Sequence, residues 1–225
     1  MKIFSFKSYV VVLLILFTAN SIIGQEKVSV GIKFGSNITT RLRNTEGSFN
    51  YTPGISFHLG SFVKIPLNEK LGVQPEILYS SRAFYSKIDI EDFAFIQPSV
   101  NSGEYRALIR DNYLSIPISL NIRLNQTWIF QTGPQFGFLL NTVTKDKSKE
   151  ERLNTEDVNF EGDFKLDIGP LVGLMFKPNE NWYFQGRCYL GFGELLRKTE
   201  FEERSGMNDN WQDLVFQLSV GYTLF

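Results

Sequence analysis

A chain of 225 residues is long enough for one domain, and its 23 basic against 24 acidic residues give no positive field with which to hold nucleic acid. Its one cysteine, Cys188, excludes an internal disulfide, so stability has to come from paired backbone and side-chain packing.

At the amino terminus Lys2 and Lys7 precede or flank an unbroken apolar run from Tyr9 to Phe17, and Thr18 to Gly24 is looser and ends before Gln25. That order predicts a cleaved secretory signal over residues 1–24, with residues 25–225 as the exported domain. Ala19-Asn20-Ser21 offers a second small-residue cleavage point. The apolar run is well short of the about 20 residues that a spanning helix needs.

From Val28 onward the apolar residues recur with a period of two. Val28, Val30, Ile32 and Phe34 interleave with Ser29, Gly31, Lys33 and Gly35, and Ile55 to Ile65 repeats the pattern around His58 and Lys64. Leu71 to Ala83 carries Gln74, Glu76, Ser80 and Arg82 on its polar side. Leu114 to Leu124 alternates most cleanly, and Trp128–Leu140, Phe164–Phe176, Trp182–Phe192 and Leu214–Leu224 complete eight such runs. Side chains on a strand point alternately to opposite faces, whereas a helix needs a period near 3.6, so the runs predict half-apolar strands.

Their connections alternate in length. Pro66 to Lys70, Asn125 to Thr127 and Pro178 to Asn181 are short turns, while long polar stretches follow the first, third, fifth and seventh runs. Tight turns at one end and long loops at the other predict an all-β, eight-stranded antiparallel up-and-down transmembrane barrel with both termini on the periplasmic side. Leu71-Gly72-Val73-Gln74, Trp128-Ile129-Phe130-Gln131 and Trp182-Tyr183-Phe184-Gln185 each open a strand after a short turn, a weak internal repeat. It sets Trp128 and Trp182 level with one another, as girdle residues at an interface with Tyr222.

A soluble lipocalin-like carrier would have the same alternation with the apolar set turned inward. Volume separates the two. An eight-stranded barrel has an interior barely wide enough for side chains, and Trp128, Phe130, Phe136, Phe138, Phe164, Phe176, Trp182, Phe184 and Phe192 would overfill it. The set rich in Gly, Ser and Gln is therefore expected inside, and the bulk outside against lipid.

Several short motifs resemble the PorT-like outer-membrane β-barrel family of Bacteroidetes. They are Gly31-Ile32-Lys33-Phe34-Gly35-Ser36-Asn37, Pro53-Gly54 leading to Ile65-Pro66-Leu67, Leu71 to Ser80, Tyr113-Leu114-Ser115-Ile116-Pro117, Gly133-Pro134, Gly169-Pro170 and Gly221-Tyr222. The resemblance covers nearly the whole exported part. It implies a Gram-negative outer-membrane barrel, and because one branch of the family is tied to protein secretion, a place in a secretion machinery is among its implications. The family usually ends with an aromatic two residues before the final Phe, whereas here Tyr222 stands three before Phe225.

No residue pattern suggests catalysis. His58, the sole histidine, falls mid-strand on the inward face with no nucleophile motif nearby, and it reads as a hydrogen-bonded filler. Cys188 falls on the lipid face. No His or Cys cluster or calcium-loop spacing marks a metal site, and no cofactor motif is present. Parity turns Lys33, Glu76, Arg82, Arg123, Asp167 and Arg187 inward, where they form either a salt-bridge plug or a narrow gated path for small solutes. Glu76 and Arg187 lie equally far from their preceding turns and are expected at one level. The charged stretches Lys145–Arg152 and Arg197–Arg204, with Phe93, Phe95 and Ile96, make the loops the expected binding surface. The expected partners are outer-membrane lipids and an extracellular ligand or secretion-machinery protein, and the barrel is expected to be monomeric.

Overall fold

The computed structural model describes residues 28–43, 49–89, 104–146, 152–157, 166–192 and 211–225. These form strands β1 (Ser29–Arg43), β2 (Phe49–Pro66), β3 (Leu71–Asp89), β4 (Glu104–Arg123), β5 (Trp128–Asp146), β6 (Arg152–Asp157), β7 (Leu166–Phe176), β8 (Trp182–Gly191) and β9 (Trp211–Thr223). All pair antiparallel with their neighbours. The β1–β9 seam, from Gly31 opposite Thr223 to Arg43 opposite Trp211, closes the sheet into a barrel. Closure removes the free edges that would otherwise leave unpaired donors in hydrocarbon.

The eight runs become eight staves but nine strands. β6 pairs with Asn141 to Lys145 of β5, and β7 pairs with the same edge of β5 from Phe138 to Trp128, so the two make one stave. The alternating runs also understate strand length. β2, β3, β4 and β5 extend over 18, 19, 20 and 19 residues, against the roughly 9–11 that cross a bilayer. The surplus lies at the loop end. There Arg110 and Asn112 follow the outward parity of Leu114, Ile116 and Ile118, so the apolar signal stops while pairing with β3 and β5 continues.

The two faces divide as expected. Phe34 is 62% exposed and Ile55 73% exposed on the outside, with Ile32, Leu59, Leu174, Phe184 and Leu218 also bare. Lys33, His58, Gln74, Glu76, Arg82, Gln131 and Arg187 are buried inside. A belt of bare aliphatic and aromatic side chains around a polar interior excludes the soluble carrier arrangement, which would bury the apolar set. The lumen is nevertheless less polar than the sequence suggests. Phe62, Met175 and Tyr183 form one inward apolar cluster, and Leu171, Tyr189 and Val215 another.

The short turns share one device. The side-chain oxygen of Asn68 accepts from the backbone of Lys70 and Leu71, that of Asn125 from Thr127 and Trp128, and that of Asn179 from Asn181 and Trp182. Each is an Asx-type turn that launches a strand from a fixed point. Since Gln74, Gln131 and Gln185 each stand six residues beyond their turn asparagine, the three amides arrive in the lumen at one level.

Candidate functional site

At that level the lumen is crossed by a closed circuit of hydrogen bonds. Gln74 donates to Glu76 at 2.7 Å, Asn121 donates to Gln74 at 3.0 Å, and Gln131 donates to Asn121 at 2.6 Å. Gln185 donates to Gln131, Lys33 donates to Gln185 at 3.1 Å, and the Lys33 ammonium returns to Glu76 at 2.5 Å. Arg187 reaches across the circuit and holds Glu76 with both terminal nitrogens, at 2.9 and 2.5 Å. Such a bidentate pair fixes the carboxylate in the plane of the guanidinium. Gly173, directly opposite Arg187 on β7, makes room for it, since a Cβ there would lie 2.7 Å from Arg187 Cγ.

Small residues face large ones elsewhere in the same way. Gly35 is paired with His58 and Gly221 with Tyr183, and a Cβ at either glycine would enter the partner ring. In a lumen this narrow, cross-strand pairs of glycine and a large side chain fill space that two large residues could not share.

Toward the loop end a second charged layer follows. Arg82 donates to Asp167 at 2.5 Å and lies over the Tyr113 ring, 4.0 Å from its centroid, while Tyr189 donates its hydroxyl to Asp167 at 2.8 Å. Arg41 joins Asp213 and Asp111, each at 2.9 Å, and Thr142 donates to Asp111 at 2.7 Å. Lys33, Arg41, Arg82 and Arg187 thus balance Glu76, Asp111, Asp167 and Asp213, which is the condition for retaining ions in a low-dielectric interior.

Of the charged residues read from the sequence, Lys33, Glu76, Arg82, Asp167 and Arg187 meet in these two layers. Arg123 does not. It keeps the inward parity but is exposed at the turn-end mouth, because β4 ends there. Arg41, Asp111 and Asp213 were missed for the opposite reason. Each continues an inward series, as Arg41 does after Gly35, Asn37 and Thr39, but lies beyond the apolar alternation used to end the strands.

Between the layers His58 is fully buried, with Nδ1 2.7 Å from Asn37 Oδ1 and Nε2 2.8 Å from Ser219 Oγ. The absence of a nearby nucleophile, read from local sequence, is corrected: β9 brings Ser219 to the ring from 161 residues away. The trio has the outline of a Ser-His-Asn relay. Its Asn37 amide is tied to Ser80 and to the Ser81 carbonyl, Gly35 abuts the imidazole, and the site lies inside the packed lumen, so no scissile group has access to Ser219. Among the described residues no group of three His, Cys, Asp or Glu side chains is placed to hold a metal ion.

On the outside, Trp128 and Trp182 are exposed near the turn end. The Trp182 ring meets Tyr222 edge-on at 4.9 Å, and the Trp128 ring lies tilted against Phe176 at 5.1 Å. Cys188 is partly exposed on the same outer face. Residues 90–103 and 193–210, which include Phe93, Phe95, Ile96 and Arg197–Arg204, lie outside the described residues, as does 147–151 of the other charged stretch.

A closed antiparallel barrel, bare and apolar outside, ion-paired and hydrogen-bonded within, is an integral barrel of the outer-membrane class. The chain belongs to the family described as outer membrane protein beta-barrel domain, which matches residues 20–197. Among solved structures it is similar to Ail of Yersinia pestis, crystallised with the heparin analogue sucrose octasulfate, at 11% identity and a TM-score of 0.48, over 88% of this chain and 100% of Ail. Neisserial surface protein A matches at 9% identity and a TM-score of 0.49, over 88% and 100% of the two chains. OprG of Pseudomonas aeruginosa matches at 13% identity and 0.41, over 90% and 99%. No curated protein matches the chain.

Proposed function

We propose that this protein is a closed outer-membrane barrel that works at its loop end, binding an extracellular protein or glycan, with its short turns and both termini toward the periplasm. The observation that carries the reading is the circuit of Gln74, Asn121, Gln131, Gln185, Lys33 and Glu76, braced by Arg187, which occupies the lumen cross-section. A filled lumen moves function to the ends of the barrel. At the loop end, β2 to β5 continue as paired strand beyond the apolar belt, giving a rigid rim on which loops are presented. The PorT-like motifs support a second reading, a component of a protein-secretion machinery, in which the same rim would dock a partner protein.

The test is surface binding by cells that express the protein, comparing the intact chain with variants lacking residues 92–101 or 197–208. Both excisions fall between paired strands, so the barrel is expected to assemble. Loss of adhesion to matrix proteins or glycans in either variant, with normal barrel content in the membrane, is the expected result. Undiminished binding by both would remove the loop end as the working surface, and recovery of the intact chain in a large membrane assembly would favour the secretion reading.

A further inference from the structure

The opposite mouth of the barrel holds a feature that the loop-end reading does not use. A cavity of about 480 Å³ opens at the turn end, and Lys64, Lys70, Arg123 and Lys177 line it, with Glu180 as the acidic side chain among its walls. Its floor is apolar at Ile65, Val73 and Ile129, and Ile129 packs on the buried cluster of Phe62, Met175 and Tyr183 behind it. Phe62 and Tyr183 meet edge to face at 5.3 Å, and the Lys64 ammonium lies 4.5 Å above the Tyr183 ring and 4.9 Å above Phe62.

The rim that carries these cations is held by backbone bonds between neighbouring turns. Arg123 donates its N–H to the Lys70 carbonyl at 2.8 Å and Lys177 donates to Thr127 at 2.7 Å. Lys64 reaches Thr223 at 3.4 Å, and Lys177 lines the same cavity. Cations of one sign gathered in a concave mouth over a low-dielectric floor focus a positive potential, and a multivalent anion between them relieves their mutual repulsion.

We infer that the turn-end mouth is a binding site for a soluble polyanion, a small molecule with two or more phosphate or carboxylate groups. The site is blind: Ile129 and the buried cluster of Phe62, Met175 and Tyr183 behind it stand between the cavity and the rest of the lumen, so the ligand docks and leaves by the same opening. The inference does not depend on what the loops bind.

The probe is tripolyphosphate, titrated calorimetrically against the intact chain in phosphatidylcholine nanodiscs, with orthophosphate for comparison. Tripolyphosphate is expected to bind at least about tenfold more tightly than orthophosphate, and the double variant Lys70→Gln, Lys177→Gln to weaken it by about tenfold or more. Lys145→Gln, an exposed cation at the loop end, is expected to leave binding unchanged. Equal weakening by Lys145→Gln would reduce the effect to general charge attraction and overturn the site, as would wild-type affinity in the double variant. Loss of tripolyphosphate binding in phosphatidylglycerol nanodiscs at matched ionic strength would assign the mouth to a lipid headgroup and overturn the soluble ligand. The heat-dependent gel shift of a folded barrel, retained by every variant, excludes misfolding as the cause.

Discussion

Ile118→Arg is expected to cut folding into lipid vesicles sharply, by about 2–4 kcal/mol of stability, because Ile118 lies mid-belt on β4 with its side chain 40% exposed on the outer face. Leu124→Arg, on the same face but just past the end of β4, is expected to cost about 0–1 kcal/mol, since a long cationic side chain at an interface extends to water. The contrast is one of depth. A protein that is not in a membrane would tolerate both changes alike, so equal folding yields for the two variants would contradict the lipid-facing assignment. Inward positions are poor controls: Ser119 Oγ lies 3.4 Å from Arg187, and a Cβ at Gly133 would meet the Ile118 carbonyl at 2.1 Å.

Loss of the Glu76 carboxylate is expected to have the second large effect. Lys33 and Arg187 both bind it, and all three side chains are removed from solvent. Glu76→Gln leaves two buried cations facing each other with a neutral amide between them, and breaking a buried pair of this kind costs about 3–5 kcal/mol. Urea unfolding in vesicles, followed by intrinsic fluorescence, measures the loss. Lys33→Met added to Glu76→Gln is expected to recover part of it by removing one uncompensated charge. A cost below about 1 kcal/mol for Glu76→Gln would show that water screens these ions, and the lumen would then be wet rather than packed.

What was legible in the sequence follows from where lipid imposes a rule. Between Leu114 and Leu124, or Leu214 and Leu224, one face must be apolar, so period-two alternation located the staves and told the two faces apart. Beyond Leu114 toward Glu104 the outward positions Asn112 and Arg110 are polar, so the alternation ends while β4 continues with nothing in its pattern to announce it. That is why Arg41, Asp111 and Asp213, all in such extensions, were absent from the expected lumen charges while Lys33, Glu76, Arg82, Asp167 and Arg187 were present. The level of Glu76 with Arg187 could be read because both follow Asn-anchored turns at similar distances. The circuit around them could not, since the order in which Gln74, Asn121, Gln131 and Gln185 exchange hydrogen bonds depends on how neighbouring staves are staggered. The small-to-large pairs were half visible: the glycines stood out as packing residues, but that Gly221 faces Tyr183 and Gly35 faces His58 is a matter of register.

Current through the purified barrel in a planar lipid bilayer is the most direct measurement of whether the lumen is closed. With the Glu76 circuit, the Arg82 and Arg41 layer, and the buried Phe62, Met175 and Tyr183 cluster all in place, the intact protein is expected to pass essentially no current. A steady, large and ungated conductance from the wild-type barrel would contradict a closed lumen and make the protein a pore.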